Sequence, residues 1–319
     1  MIPQLPPLAA GASGSALAKS AAVASMLVAL TLVSLKTWAA WRTGSSAMLG
    51  SLADSALDLL ASLITLFGVW VAALPADREH RFGHGKAEAV TALVQVMLIA
   101  VLAVAIGVHS VRQWLDGARI EQPGEGISVS LVAIALTFAL LGWQRFVIRH
   151  TGSLAIRTDN VHYQSDLLLN LSVIAALGLD AWGGLVGADA AFGIAIAAWL
   201  VWGAFKASRD AIDQLMDHEW PPEKRQRLVE LTAQHPDVSN LHDLRTRTSG
   251  NRDFVQFHID LPPHMNVADA HDVVERVERD LQYHFPRLEV LIHIDPAGHK
   301  DSANQLVEEN EFARLEQKL

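Results

Sequence analysis

Two short segments place metal-ligating side chains four residues apart. One is Gly50-Ser51-Leu52-Ala53-Asp54-Ser55-Ala56-Leu57-Asp58, the other His162-Tyr163-Gln164-Ser165-Asp166. On a helix, residues i and i+4 share a face and lie about 6 Å apart along the axis. Asp54 and Asp58 then form one ligand pair, and His162 and Asp166 another. Facing each other, the two pairs enclose one cation. Three carboxylates cannot share a dry site without a cation or protons. Four ligands with one nitrogen favour tetrahedral zinc or cadmium, whereas magnesium and calcium prefer all-oxygen shells. Iron(II), cobalt(II) and nickel(II) fit the same donors, because affinity alone does not separate them.

The elements that must carry these pairs are apolar. Of the 319 residues, 51% are hydrophobic and 18% charged. Charge is sparse up to Lys206 and dense afterwards, so a membrane domain precedes a water-facing one. A bilayer crossing needs roughly 20 residues. Six stretches qualify: Ala16–Ala40, Ser46–Leu74, Ala87–Trp114, Ile127–Ile148, Leu154–Trp182 and Ala188–Ala207. The sixth begins after a Gly-rich turn, Gly183-Gly184-Leu185-Val186-Gly187. Both ligand pairs fall inside spans, where ionisable side chains face a cavity or one another. Gly50, Ser51, Ala53, Ser55 and Ala56 are small, which lets helices approach closely. Lys36 and His109 lie near span ends, and their expected role is interfacial.

Basic residues cluster on one side of these spans: Arg78, Arg81 and Lys86; Arg145, Arg149 and Arg157; Lys206 and Arg209. The other side has only Arg42, Arg112 and Arg119. Both termini are therefore expected in the cytoplasm. The N-terminus has no basic residue before Lys19 and does not resemble a signal peptide. The absence of cysteine excludes disulfides and thiolate sites, leaving histidine and carboxylate for metal work. A net charge of -9 argues against nucleic acid as a partner and suits a cation-attracting surface.

The connection after the second span contains Asp77, His80 and His84, a further ligand set that a charged surface loop explains equally well. Beyond Pro221-Pro222 the pattern alternates. Glu223–Gln234 reads as a helix, Val238–Thr248 and Asp253–Leu261 as strands joined at Ser249-Gly250-Asn251, Val267–Phe285 as a helix and Leu288–Asp295 as a strand. This αββαβ order predicts a small two-layer α+β domain. His242, His258, His271, His293 and Asp295 form its own metal-ligand signature, although His235, His264 and His284 show that histidine is frequent here. The expected organisation is a disordered segment 1–15, an all-α membrane domain of six transmembrane helices over 16–212, the α+β cytosolic domain over 213–297 and an acidic tail 298–319.

Together these motifs resemble the cation diffusion facilitator family, close to its bacterial zinc-efflux branch. The likeness runs from Ala16 to Pro296. It rests on Ser51–Asp58, on Asp77 with His80-Arg81-Phe82-Gly83-His84-Gly85-Lys86-Ala87-Glu88, on His162–Asp166, on His242–Arg247 and on His293-Ile294-Asp295-Pro296. The resemblance implies an inner-membrane homodimer that exports divalent cations in exchange for protons. It implies a ferredoxin-like, metallochaperone-like cytosolic domain. Asp54, Asp58, His162 and Asp166 would form the transport site, and Asp77, His80 and His84 a loop site. His242, His258, His271, His293 and Asp295 would form a binuclear cytosolic site at the dimer contact, with Asp295 bridging two ions. Lys86 and Asp217 would interlock the protomers. Zinc or a similar ion would be both cargo and structural or regulatory ion, and no organic cofactor is expected.

The charge tally fits this. Three carboxylates and a neutral imidazole sum to -3. An empty cage of that charge takes up protons, and metal ligands must be deprotonated to bind, so metal and protons compete. An ordinary imidazole titrates near neutral pH, which makes His162 a proton carrier. Manganese is disfavoured, because manganese transporters of the family carry Asp where this chain has His162. An intramembrane hydrolase would need an open coordination position and a general base, and no H-E-x-x-H occurs. The expectation is a secondary transporter and not an enzyme. A non-transporting sensor would not need a costly charge cluster within the membrane.

Overall fold

The computed structural model describes residues 12–43, 46–116, 127–183, 188–298 and 311–312. Most of segment 1–15, Arg119, the Gly-rich turn beyond Gly183 and nearly all of the acidic tail lie outside the described residues. The chain divides into two compact units, Gly14–Ile212 and a unit built from Asp213–Leu319.

Among the described residues, six helices build the first unit: α1 (Ala12–Thr43), α2 (Ser46–Ala72), α3 (Ala87–Asp116), α4 (Ile127–Thr151), α5 (Leu154–Gly183) and α6 (Ala188–Leu215). Five contain a stretch long and apolar enough to cross a membrane: Gly14–Arg42, Asp54–Ala72, Ala87–Leu115, Leu131–Thr151 and Ala190–Leu215. The expectation of six is met by five on length and composition. The helix α5 forms and has 30 residues, but its first half carries Arg157, Asp159, Asn160, His162, Gln164 and Asp166. Much of that polarity is turned inward: Asp159, Asn160, His162 and Ser165 are buried. Outward, the bundle is apolar. Trp41, Phe67, Val101, Leu131, Trp202 and Phe205 are 58–81% exposed. A hydrocarbon phase accommodates such a surface, and water does not.

Packing centres on α5, which contacts α2, α3 and α4. Close approach depends on missing side chains. A Cβ on Gly68 of α2 would come within 1.8 Å of the Thr91 Oγ1 on α3. Glu88, buried at the start of α3, accepts a hydrogen bond from the Leu154 N–H at 3.0 Å. An anionic acceptor there satisfies an orphan donor and complements the α5 dipole.

The strongest tie is Asp159 on α5, which is fully buried. Its Oδ2 accepts from Ser25 Oγ of α1 and Gln144 Nε2 of α4, both at 2.7 Å. Its Oδ1 accepts from Thr65 Oγ1 of α2 at 3.1 Å and Gln95 Nε2 of α3 at 3.4 Å. One carboxylate thus joins five helices. Asp159→Ala orphans several donors at about 1–3 kcal/mol each. That variant should melt well below the parent in detergent, and Asp159→Asn should fall between them. Equal melting of all three would show that the carboxylate contributes nothing.

The second unit contains α7 (Pro222–Thr232), β1 (Leu241–Ser249), β2 (Arg252–Leu261), α8 (Val267–His284) and β3 (Leu288–Pro296). This is the αββαβ order that the alternation predicts. The sheet order is β1-β2-β3. The β1–β2 pair is antiparallel and turns through Gly250 at φ 59°, while β2–β3 is parallel, with α8 as the crossover. Asn266 caps α8 by accepting from the Asp269 N–H at 3.0 Å. Leu228, Leu241, Phe257, Ile259, Val277 and Leu281 fill the core between helices and sheet.

Candidate functional site

In the helical unit, Asp58 from α2 and His162 and Asp166 from α5 offer ligand atoms that lie within 4.8 Å of one another. His162 Nε2 is 3.1 Å from Asp58 Oδ1 and 3.9 Å from Asp166 Oδ2. The i,i+4 spacing on α5 does what helix geometry requires. Asp166 Oδ2 is buried with no hydrogen-bond partner among the described residues, a vacancy in bonding that a cation fills well. Asp54, one turn earlier on α2, is exposed and does not join this trio. Lys36 departs from its expected interfacial role. It is half-buried, and its Nζ donates to Ser55 Oγ at 2.7 Å. The ammonium acts electrostatically on both Asp54 and Asp166.

The loop trio also assembles. Asp77 Oδ1 accepts the N–H groups of Glu79 at 2.9 Å and His80 at 2.6 Å, a turn that aims both oxygens at imidazoles. His80 Nδ1 lies 3.3 Å from Oδ1 and His84 Nε2 3.4 Å from Oδ2. The His80 N–H chiefly holds the Asp77 carboxyl below its usual range.

In the second unit, strand register lines up the histidines. His242 pairs with His258 across β1–β2, and His258 with His293 across β2–β3. Asp295 stands beneath that row. Its Oδ2 is 2.9 Å from His258 Nδ1 and 3.3 Å from His242 Nε2, and its Oδ1 is 3.5 Å from His293 Nε2. His271 is apart from the row: on α8, exposed, it lies 3.5 Å from Glu275 Oε1. Asp217 is 3.3 Å from Arg247 Nη1 within this unit, and Lys86 belongs to the helical one.

Sequence reasoning missed Asp159, Asp243 and Asp260, and gave Lys36 a different role. Asp159 and Lys36 are ionisable groups within apolar segments, and that signal was available. Asp260 follows His258 by two, on the same strand face, with Oδ1 3.7 Å from His242 Nδ1. Asp243 sits at φ 46° where the β1–β2 register shifts. That irregularity turns its carboxylate to 3.7 Å from His258 Nε2, while Arg245 grips it at 3.1 and 3.0 Å. No sequence pattern announces a bulge at that place.

An inward-facing ligand trio in an apolar helix bundle, followed by a histidine-bearing α/β unit, defines a membrane protein that handles cations. The chain belongs to the cation diffusion facilitator family of cation-efflux transporters. The family's "Cation efflux transmembrane domain" matches residues 22–216, and its "Cation efflux protein, cytoplasmic domain" matches 220–297. The chain is 41% identical over 280 residues to the cation-efflux pump FieF of Yersinia pestis (strain Pestoides F), covering 88% of this chain and 93% of that one. FieF of Yersinia pseudotuberculosis serotype O:3 (strain YPIII) gives the same figures. Among solved structures, the zinc form of CzrB is 32% identical with a TM-score of 0.25, covering 27% of this chain and 98% of that one. The metal-bound C-terminal domain of the CzcD transporter from Thermotoga maritima is 25% identical with a TM-score of 0.24, covering 26% and 99%.

Partial burial opposes ionisation of Asp295, yet the His258 hydrogen bond and the imidazoles of His258, His293 and His242 outweigh it and hold its carboxyl below the ordinary value. A lowered folded-state value stabilises the fold above the ordinary carboxylate range, and the gain disappears as pH falls through the lowered value. In chelator-treated protein, Asp295→Asn should therefore flatten the acid limb of a melting-temperature profile. An unchanged acid limb would refute this.

Proposed function

We propose that this transporter exports zinc-class divalent cations in exchange for protons, by alternating access. The observation that carries this reading is the convergence of Asp58, His162 and Asp166 inside a bundle whose outer surface is apolar. Two oxygens and an imidazole nitrogen favour zinc and cadmium, with iron(II), cobalt(II) and nickel(II) within reach. Asp54, one turn away on α2 and outside the trio as the structure holds it, is the fourth ligand once a cation draws the two pairs together. Buried carboxylates emptied of metal take up protons, so one site carries either cargo. Facing the cytosol the site loads metal; facing a more acidic exterior it protonates and releases it.

The remaining assignments follow from the same reading. All six helices of the first unit cross the inner membrane, with α5 shielded by its neighbours and both termini cytoplasmic. The protein works as a homodimer. Its second unit is a ferredoxin-like, metallochaperone-like domain, and His242, His258, His293 and Asp295, with His271 at the contact between protomers, hold two ions there. Metal at that contact neutralises two acidic faces and biases the membrane halves toward one state. Lys86 and Asp217 interlock the protomers near the membrane surface. Asp77, His80 and His84 form an accessory loop site.

Zinc flux into proteoliposomes with an imposed pH gradient tests the mechanism. An acidic lumen should drive zinc uptake and lose protons as it does so. Flux that ignores the gradient and moves no protons overturns antiport. Asp58→Ala should abolish flux while the dimer stays intact, and near-normal flux would remove this trio from the mechanism.

His162→Asp gives an all-oxygen set, the kind that suits manganese. Manganese transport should rise relative to zinc in a metal panel. An unchanged metal profile would sink that assignment.

A further inference from the structure

Lys36 lies within the apolar stretch Gly14–Arg42 of α1, two turns from the end of that helix. An ammonium at such a depth is costly unless it meets opposite charge. It donates to Ser55 Oγ at 2.7 Å, and Ser55 is fully buried. Ser55 neighbours Asp54 on α2. The Lys36 charge acts on both Asp54 and Asp166. It is thus anchored by a hydroxyl beside Asp54 in sequence and stands within the field of the carboxylates.

We propose that Lys36 is a tethered counter-cation of the transport site, a residue that sets how tightly and at what valence the cage binds. The proposal rests on the reading of the cage as the transport site. Asp54, Asp58 and Asp166 sum to -3 and Lys36 restores +1. The remaining -2 is the charge that one divalent ion cancels. A monovalent ion would leave the site charged, and a trivalent one would overshoot, and both outcomes are unfavourable in a low dielectric. The ammonium also repels the bound ion. A transport site must bind strongly enough to load and weakly enough to release, and a fixed positive charge beside the cage weakens it. Without Lys36 the ion should bind more tightly and leave more slowly.

The test uses the full chain in proteoliposomes buffered alike on both sides at alkaline pH, where protons compete least. Zinc flux is measured over a concentration series for Lys36→Met, Lys36→Gln and Lys36→Arg. In Met and Gln the KM for zinc should fall by on the order of tenfold, the effect of about 1.4 kcal/mol of removed repulsion, and maximal flux should fall with it. Lys36→Arg, which keeps the charge, should keep KM high. Gln retains a donor for Ser55 without the charge, so a purely structural role makes Gln behave like the parent; that result overturns the proposal. A KM that rises in Met and Gln overturns it too. Should Met fail to fold, the Gln–Arg pair decides. Asp58→Ala is run alongside. Normal flux there defeats the transport-site reading itself, whereas silence there with parental Gln defeats only the role of Lys36.

Discussion

A carboxylate inside hydrocarbon must be met by donors, by a cation or by a proton, and this constraint orders the helical unit. Its carboxylates meet the demand in different ways. Asp159 is saturated: four side chains from four other helices donate to its two oxygens. A group so fully bonded has no capacity left for cargo, and its effect is to hold α5 in place. Asp58 and Asp166 share one imidazole, and among the described residues Asp166 Oδ2 is buried without a hydrogen bond. The incompletely satisfied carboxylates are the ones to which an ion adds most. A saturated carboxylate and an unsaturated one thus sit on the same helix, about two turns apart.

The same economy explains why α5 differs from its neighbours. A helix that supplies His162, Asp166 and Asp159 cannot also be apolar enough to qualify as a span by composition. It is surrounded instead. Contacts with α2, α3 and α4 cover its polar face, and the Glu88 carboxylate caps its first turn. Gly68 permits the close α2–α3 approach that this enclosure needs. In the second unit, sheet register replaces helix periodicity as the positioning device. A row of three histidines across three strands, with Asp295 beneath it, is built from backbone pairing.

Much of this was legible because short-range geometry is periodic. The i,i+4 pairs announce a shared helix face, and the His293–Asp295 spacing announces a shared strand face. The αββαβ order follows from alternating patterns and a Gly-bearing hairpin. Asp159 and Lys36 were harder, since an ionisable group in an apolar segment signals that it matters but has no spacing to name its partner. Lys36 in particular sits where an interfacial role is the ordinary reading. Only the approach of α2 to α1 turns it toward Ser55. His271 matches the family pattern in sequence yet lies apart from its partners within one chain.

The sequence by itself determined which side chains share a face, because helix and strand periods are local properties of the backbone. It also determined that the ligand pairs lie in apolar segments. The tertiary structure decided which faces meet. It joined Asp58 to His162 across 104 positions of chain, gathered five helices on Asp159, and left Asp54 outside the trio. Those outcomes depend on how whole helices pack, where the energy is shared among many contacts and no local spacing records it.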